Sequence, residues 1–442
     1  MSPEIATVVY GFVIVALFLL DRDRKSRVSS ALWIPVAWVS IGASRMVSQW
    51  FGVAPAMESP DQYLEGSPLD RLILTGLLAA GLMVLVARGQ RAGMFLRANG
   101  PILLFFLYGA VSVLWSDYPD VAFKRWTKAV GDIVMVLVVL TDPDPSAAVK
   151  RLLARTGFLL IPLSVLFVKY YPELGRGYHP WDWIPYYTGV STEKNGLGLV
   201  CLVFGLGSLW RFLEAFYSEE RPRRAGTLVA HGAVLAMVMW LFQHANSATS
   251  LGCFLIGGGL IVLTRRRGSA FRPAAVHILA VGIVSLCLFG LFLDSDVGLV
   301  QAMGRDATLT GRTALWDELL RMTVDPWFGA GFESFWLGQR VETMWRKYYW
   351  HPNQAHNGYL EVFLNLGWTG VALLGFLIVW GYRQVIGAFR RDQEAGRLRL
   401  AYFVVALVYN LTEAAFQVLH PMWIAFLLAV TVIPEPSRRE DG

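Results

Sequence analysis

The stretch HPNQAHNGYLEVFLNLGWTG, residues 351–370, sets two histidines in a polar run and then becomes an apolar segment carrying two glycines three apart. His356 and Asn357 stand where a helix is expected to begin. Asparagine is a preferred helix N-cap, because its side-chain oxygen accepts from the orphan N–H groups of the first turn. His356 is therefore expected at the positive end of a helix, a place that favours an anion. An imidazole there could also accept a proton from a hydroxyl near neutral pH. At roughly 100° per residue, Gly367 falls about 20° past three turns from His356, on the same face, and Gly370 lies one turn deeper. Glycines so placed permit close approach of another helix, or line a groove for a lipid tail. The plainer alternative is an exposed loop histidine above a small-residue packing face.

Other groups point to the same chemistry. Arg176 lies in YPELGRGYHPWDW, Arg312 in TGRTALW, and Lys194 and Asn195 in STEKNGLG at the start of another apolar run. Arginine binds phosphate bidentately, so these cations together are expected to clamp a diphosphate. For each cation taken singly, a lipid-headgroup anchor or a snorkelling side chain is the alternative. KRWTKAVGD brings Lys124, Arg125, Lys128 and Asp132 within two helical turns. Asp132 is expected inside the membrane, with Lys128 at i−4 as its partner. Glu361 and Glu413 are expected to be membrane-embedded as well. The Asp-x-Asp pairs at 142–144 and 294–296 are a spacing able to bind a divalent ion. They lie apart from the other candidates or recur readily by chance, and His351 and His356 lack the HExxH pattern. No metal and no cofactor is assigned. No phosphate-binding P-loop, dinucleotide fingerprint or nucleophile-elbow serine is present either.

These residues need elements to position them, and composition says which. Of 442 residues, 55% are hydrophobic and 16% charged, against about 25% charged in soluble domains. Mean hydropathy is +0.46. This is the composition of an all-α polytopic membrane protein. The net charge of +6 reads as basic loops at cytoplasmic helix ends, not as a nucleic-acid surface. Cys201, Cys253 and Cys287 all lie in apolar runs and supply no disulfide framework. The first residues lack a basic leader region and a small-residue cleavage site, so they read as a first span. A span needs about 20 apolar residues. By that measure twelve or thirteen segments qualify, near 5–20, 28–44, 71–87, 100–115, 127–141, 156–170, 195–213, 226–243, 249–264, 275–293, 358–381, 400–417 and 420–434. They divide into an N-terminal bundle (1–293), a long polar loop (294–357) and a C-terminal membrane section (358–442) with a short tail.

Alternate loops, with the C-terminal Arg438 and Arg439, hold 25 of the 39 Lys and Arg, which places that set in the cytoplasm. The loop 294–357 then faces outward, and with it the candidate site. The loop contains Trp316, Trp327, Trp336, Trp345 and Trp350. An interfacial aromatic belt is one reading of them; a platform for stacking sugar rings is the other. The segment 312–322 has helical periodicity, with Ala314, Leu315, Leu319 and Met322 on one side, and is expected to lie on the membrane surface.

The motif formed by His356, Asn357, Gly367 and Gly370 resembles the signature of the O-antigen ligase and Wzy-type polymerase family. The order of the other pieces is similar too: TxKNxLG from Thr192 to Gly198, SATS from Ser247 to Ser250, GRTxLW from Gly311 to Trp316, and then the long loop ending in the histidine motif. NLTEAAF, residues 410–416, looks like the late span of exopolysaccharide-polymerase-like members. The resemblance runs over residues 100–430 and leaves the first 95 unassigned. It implies a GT-C-like glycosyltransferase architecture in the bacterial inner membrane, with the site facing the periplasm or cell exterior. It implies transfer of a glycan from an undecaprenyl-diphosphate carrier to a lipid A–core or to another carrier-linked unit, among membrane lipids, without metal, nucleic acid or nucleotide. His356 would be the general base and Arg312 the loop arginine, with Arg176 and Lys194 completing the diphosphate clamp beside Asn195. Asn357, Gly367, Gly370 and Glu413 would support them. Ligase and polymerase share these features, and both remain open. A transporter or flippase of lipid-linked glycans is the alternative from another class; its spans would carry cations through the bilayer, often in internal repeats.

Overall fold

The computed structural model describes residues 1–22, 28–53, 66–178, 183–218, 221–265, 277–285, 287, 309–348 and 350–434. The Asp pair at 294–296, the basic loop residues 23–27 and 266–272, and the C-terminal arginines lie outside the described residues.

The chain is an all-α polytopic membrane protein. Its main helices are α1 (Pro3–Leu20), α2 (Trp33–Gly42), α3 (Pro68–Ala87), α4 (Gly89–Ala98), α5 (Gly100–Ser112), α6 (Pro119–Leu140), α7 (Pro145–Tyr170), α8 (Lys194–Tyr217), α9 (Arg221–Ala245), α10 (Ala248–Leu263), α11 (Leu309–Arg321), α12 (Gln339–Lys347), α13 (Gly358–Arg391), α14 (Gln393–Tyr409) and α15 (Pro421–Val430). Among the described residues, strand is confined to one antiparallel pair, β1 (Arg176–Tyr178) and β2 (Pro185–Tyr187). Twelve of the thirteen expected segments fall on helices, and the thirteenth, 275–293, is largely outside the described residues. Six of the helices are long and apolar enough to cross a membrane on their own, or seven if α4 and the run 100–115, bent by 85°, form one span. The others are shorter, or carry charge within the window.

Local chemistry sets the starts. α1, α3, α5, α6, α7 and α15 each have proline in the first turn, where its missing N–H leaves no bond unmade. Asp144, Asn357 and Asp392 cap α7, α13 and α14 with side-chain oxygens that accept from first-turn N–H groups. α7 and α8 are the most enclosed spans, while α1 and α3 lie at the periphery. Asp132, buried in α6, does not pair with Lys128 as expected. It accepts from Trp38 Nε1 at 2.8 Å and from the Leu419 N–H at 3.0 Å. A lysine one turn away on the same helix cannot reach in where an indole and a backbone N–H already fill the space.

The long loop folds on itself. Leu315 and Leu319, fully buried, pack with Phe335, Trp336, Val341 and Met344 in a small core of their own. The apolar side of α11 is therefore covered by α12 and the loop, not by the membrane surface, and Ala314 is exposed. Three tryptophans tie the loop together. The indole N–H donates to Ala355 O from Trp316, to Glu361 from Trp336, and to Pro352 O from Trp345. Trp327 is 65% exposed and Trp350 37%.

α13 is broken at Gly367, which has φ +63° and ψ −167°. Residues 326–331 of the loop dock into the break. Trp368 N–H donates to Pro326 O, Thr369 N–H to Trp327 O, Ala330 N–H to Leu364 O and Gly331 N–H to Asn365 O, at 2.8–3.1 Å. The helical arithmetic does not hold: His356 and Asn357 precede the helix with non-helical backbones, and the break at Gly367 displaces Gly370. The space beside Gly367 is occupied by the Trp327 backbone, so neither another helix nor a lipid tail lies there; beside Gly370 it is the helix's own Leu366. A Cβ at Gly367 would sit 2.3 Å from the Trp327 carbonyl carbon. Gly367→Ala is expected to lower stability by at least about 1–3 kcal/mol, from the left-handed backbone alone, with the clash adding to it. A melting curve of the detergent-solubilised variant tests this; an unchanged midpoint would contradict the break.

Candidate active site

The candidate site is built where three chain segments meet. Helix α14 ends at Tyr409 and α15 begins at Pro421, so residues 410–420 are a turn, not the continuation of a span to 417 that the sequence led us to expect. Asn410 makes the turn. Its amide donates to Ala406 O, and its Oδ1 accepts from the N–H groups of Ala415 and Phe416. Side-chain bonds of this kind compete with helix continuation. Its backbone oxygen and that of Glu413 both accept from Gly358 N–H, at 2.9 and 3.1 Å. This joins the turn to the start of α13. The fit excludes any larger residue at 358, since a Cβ there would lie 1.8 Å from Asn410 Oδ1.

Glu413 is the hub. Its side chain is 7% exposed. Oε1 accepts from Asn195 Nδ2 at 3.1 Å and faces an Arg312 guanidinium nitrogen at 3.5 Å; Oε2 lies 3.2 Å from His356 Nδ1. Arg312 also donates to Thr412 O at 2.6 Å. A carboxylate only accepts, so His356 Nδ1 carries the proton of this contact, and in the neutral ring Nε2 has the lone pair. His356 has φ +50°, a left-handed backbone that costs of order 1–3 kcal/mol in a non-glycine residue. Its neighbours hold it there: Asn357 caps α13 through Tyr359 and Leu360 N–H, and Ala355 N–H donates to Glu361. The Trp350 ring stands 6.3 Å from the His356 ring.

The structure brings together His356, Arg312, Asn195 and Glu413, with Asn357 as the cap behind them. Lys194 is the first residue of α8, beside Asn195; among the described residues it makes no hydrogen bond or ion pair. Arg176 is turned elsewhere among the described residues: its guanidinium donates to Val168 O at 3.0 and 3.2 Å and lies over the Tyr187 ring. The expected meeting of three cations is thus a meeting of Arg312 with carboxylate, imidazole and amide. Asp142 is also committed, to Arg88 and to Ser29 N–H.

Sequence reading missed Glu193 and Glu333, and it named Arg125 only as part of the basic run that enters α6. Glu193 immediately precedes Lys194, and burial together with the Glu413 charge pushes its carboxyl above the usual range, against His356. Arg125 donates to the Glu333 carbonyl. The one available signal was a glutamate beside a Lys-Asn pair at a membrane helix start, where an unneeded charge is unfavourable.

Comparison with known proteins now bears on this geometry. A family model described as O-antigen ligase matches residues 223–375. Over those residues the chain is similar to the O-antigen ligase family. Within the match lie Arg312, His356, Asn357, Gly367 and Gly370, whereas Arg176, Lys194, Asn195 and Glu413 fall outside it. The chain is also similar to the exopolysaccharide production protein ExoQ of Rhizobium meliloti (strain 1021). They are 24% identical over 354 residues, which cover 76% of this chain and 78% of that one. The matched segment alone thus holds the arginine and the histidine. The partners that orient them come from two elements on either side of it.

Proposed function

We propose that the chain is an integral-membrane glycosyltransferase that transfers or polymerises a glycan from an undecaprenyl-diphosphate carrier onto an acceptor hydroxyl. The observation that supports this best is the shared carboxylate of Glu413, which holds an arginine of the loop helix α11 and a histidine at the start of the membrane helix α13. The acceptor oxygen attacks the anomeric carbon as the bond from that carbon to the phosphate oxygen breaks. The polyprenyl diphosphate leaves with the electron pair, and the hydroxyl proton passes to His356 Nε2. One displacement inverts the anomeric configuration. Among the described residues Arg312 keeps donors free beyond those it spends on Thr412 and Glu413, and these stabilise the charge growing on the leaving diphosphate. The α8 and α13 N-termini add to the positive potential. No metal is assigned a step. A carrier tail would fit the apolar groove of about 870 Å³ lined by Leu82, Leu96, Leu104, Trp126 and Ile133 among others, not the Gly367–Gly370 face. The site faces the periplasm or cell exterior of a bacterial inner membrane.

Reconstitution in proteoliposomes with carrier-linked glycan, with and without lipid A–core, tests the reading. Glycan joined to lipid A–core identifies a ligase, and lengthened carrier-linked glycan a polymerase. Intact substrate moved across the bilayer with no new glycosidic bond would overturn the transferase and favour a transporter. Arg176 and Lys194 are proposed as outlying cations for the carrier phosphates. Replacing either by alanine is expected to raise the donor KM about tenfold, worth about 1.4 kcal/mol, with kcat nearly unchanged. A fall in kcat alone would remove them from donor binding.

A further inference from the structure

A cavity of about 460 Å³ adjoins Glu413, and its walls include Asn195 and Glu413 but neither Arg312 nor His356. Its size is that of a small-molecule site, roughly 300–1,000 Å³. Its chemistry differs from that of a phosphate site. Four carboxylates line it, from Glu193, Glu333, Glu361 and Glu413, against one guanidinium, that of Arg125. With one guanidinium among four glutamates, the lining offers no surplus of positive charge to hold a diphosphate or an acidic sugar. Amides of Asn365 and Gln417 share the lining, so it holds donors as well as acceptors, as the hydroxyls of a sugar require.

The groups are not equally available. Glu413 is occupied by Asn195, Arg312 and His356. Glu361 accepts from Trp336, Asn365 and Ala355. Glu193 and the Gln417 amide, by contrast, line the cavity and form no side-chain hydrogen bond among the described residues. Glu193 also stands close enough to Glu413 for the two charges to oppose each other. A carboxylate in that position gains from a hydroxyl donor, which lowers the cost of its charge without neutralising it.

We propose that this cavity binds an uncharged sugar ring of the acceptor glycan, with Glu193 and Gln417 taking its hydroxyls. The proposal rests on the transferase reading for the word acceptor, but the binding itself is tested separately. Two probes are used on the purified full chain: the free oligosaccharide released by mild acid from the host's own lipid-linked glycans, and inorganic pyrophosphate. Binding is measured by calorimetry. Wild type is expected to bind both. Glu193→Gln, which keeps the shape of the side chain, and Gln417→Ala are each expected to weaken oligosaccharide binding about tenfold or more. Pyrophosphate binding should stay within about twofold, which also reports that the variants are folded. Arg312→Ala is expected to do the reverse. The proposal is overturned if wild type does not bind the oligosaccharide, if the cavity variants bind it unchanged, or if they lose pyrophosphate, alone or with the sugar. Sugar binding that depends on Glu193 in a chain that forms no glycosidic bond would sink the transferase reading and leave the cavity assignment standing.

Discussion

His356→Ala and Arg312→Ala are each expected to cut glycan transfer by about 10²- to 10³-fold while the protein still inserts and folds. General bases contribute about 10²–10⁴-fold, and a donor aimed at developing negative charge about 10²–10³-fold. Neither side chain is a fold determinant. His356 and Arg312 are 19% and 28% exposed, and their bonds run to Glu413 and the adjacent Thr412 carbonyl. Removing the imidazole also relaxes nothing else in the turn, because Asn357 caps α13 independently. The two variants should differ in kind. Loss of the base lowers kcat, most steeply where the acceptor hydroxyl alone would have to surrender its proton. Loss of the guanidinium lowers kcat and weakens the donor too, since part of its charge already faces the ground-state diphosphate. Measured transfer in proteoliposomes, normalised to folded protein, decides the matter. A variant within threefold of wild type would remove that residue from the chemistry.

Glu413→Gln is expected to lower transfer by at least ~100-fold, as removal of the orienting carboxylate does in other histidine-based sites. Glutamine keeps the size and one acceptor oxygen, so Asn195 and Arg312 can still find it. The other oxygen becomes an N–H donor facing His356 Nδ1. The imidazole must then accept at Nδ1 and carry its proton on Nε2, the wrong tautomer for a base. The loss should therefore fall on kcat and not on donor binding. Glu413→Asp, which keeps the carboxylate on a shorter arm, should recover part of it. A purely structural role for Glu413 would give a lowered melting point and no recovery with aspartate. Retention of wild-type kcat in Glu413→Gln would mean that the histidine does not depend on this carboxylate.

Much of the architecture was legible because the bilayer imposes a local rule. A run of about 20 apolar residues must close its backbone hydrogen bonds internally, and proline, asparagine and aspartate mark where it can start. Asn357 was readable as a cap for that reason. The end of α14 was not. Residues 400–417 look like one span, yet Asn410 folds back on its own backbone and stops the helix, and Glu413 leaves the membrane path for partners on other elements. Gly367 misled in the opposite way. Two glycines three apart read as a smooth packing face, but the docking of residues 326–331 turned the first into a break.

The sequence by itself determined that this is a membrane protein of many helices, that a histidine-asparagine pair opens one of them, and that an arginine waits in the long loop before it. These follow from hydropathy, capping and charge, which act over a few neighbouring residues. Tertiary structure alone decided that Glu413 joins His356, Arg312 and Asn195, across separations of 57, 101 and 218 residues. It also decided that Asp132 is met by Trp38 and not by Lys128, and that Glu193 faces a cavity. A polar group in a membrane protein must find a partner, but which one depends on which helices pack together. No local pattern encodes that choice.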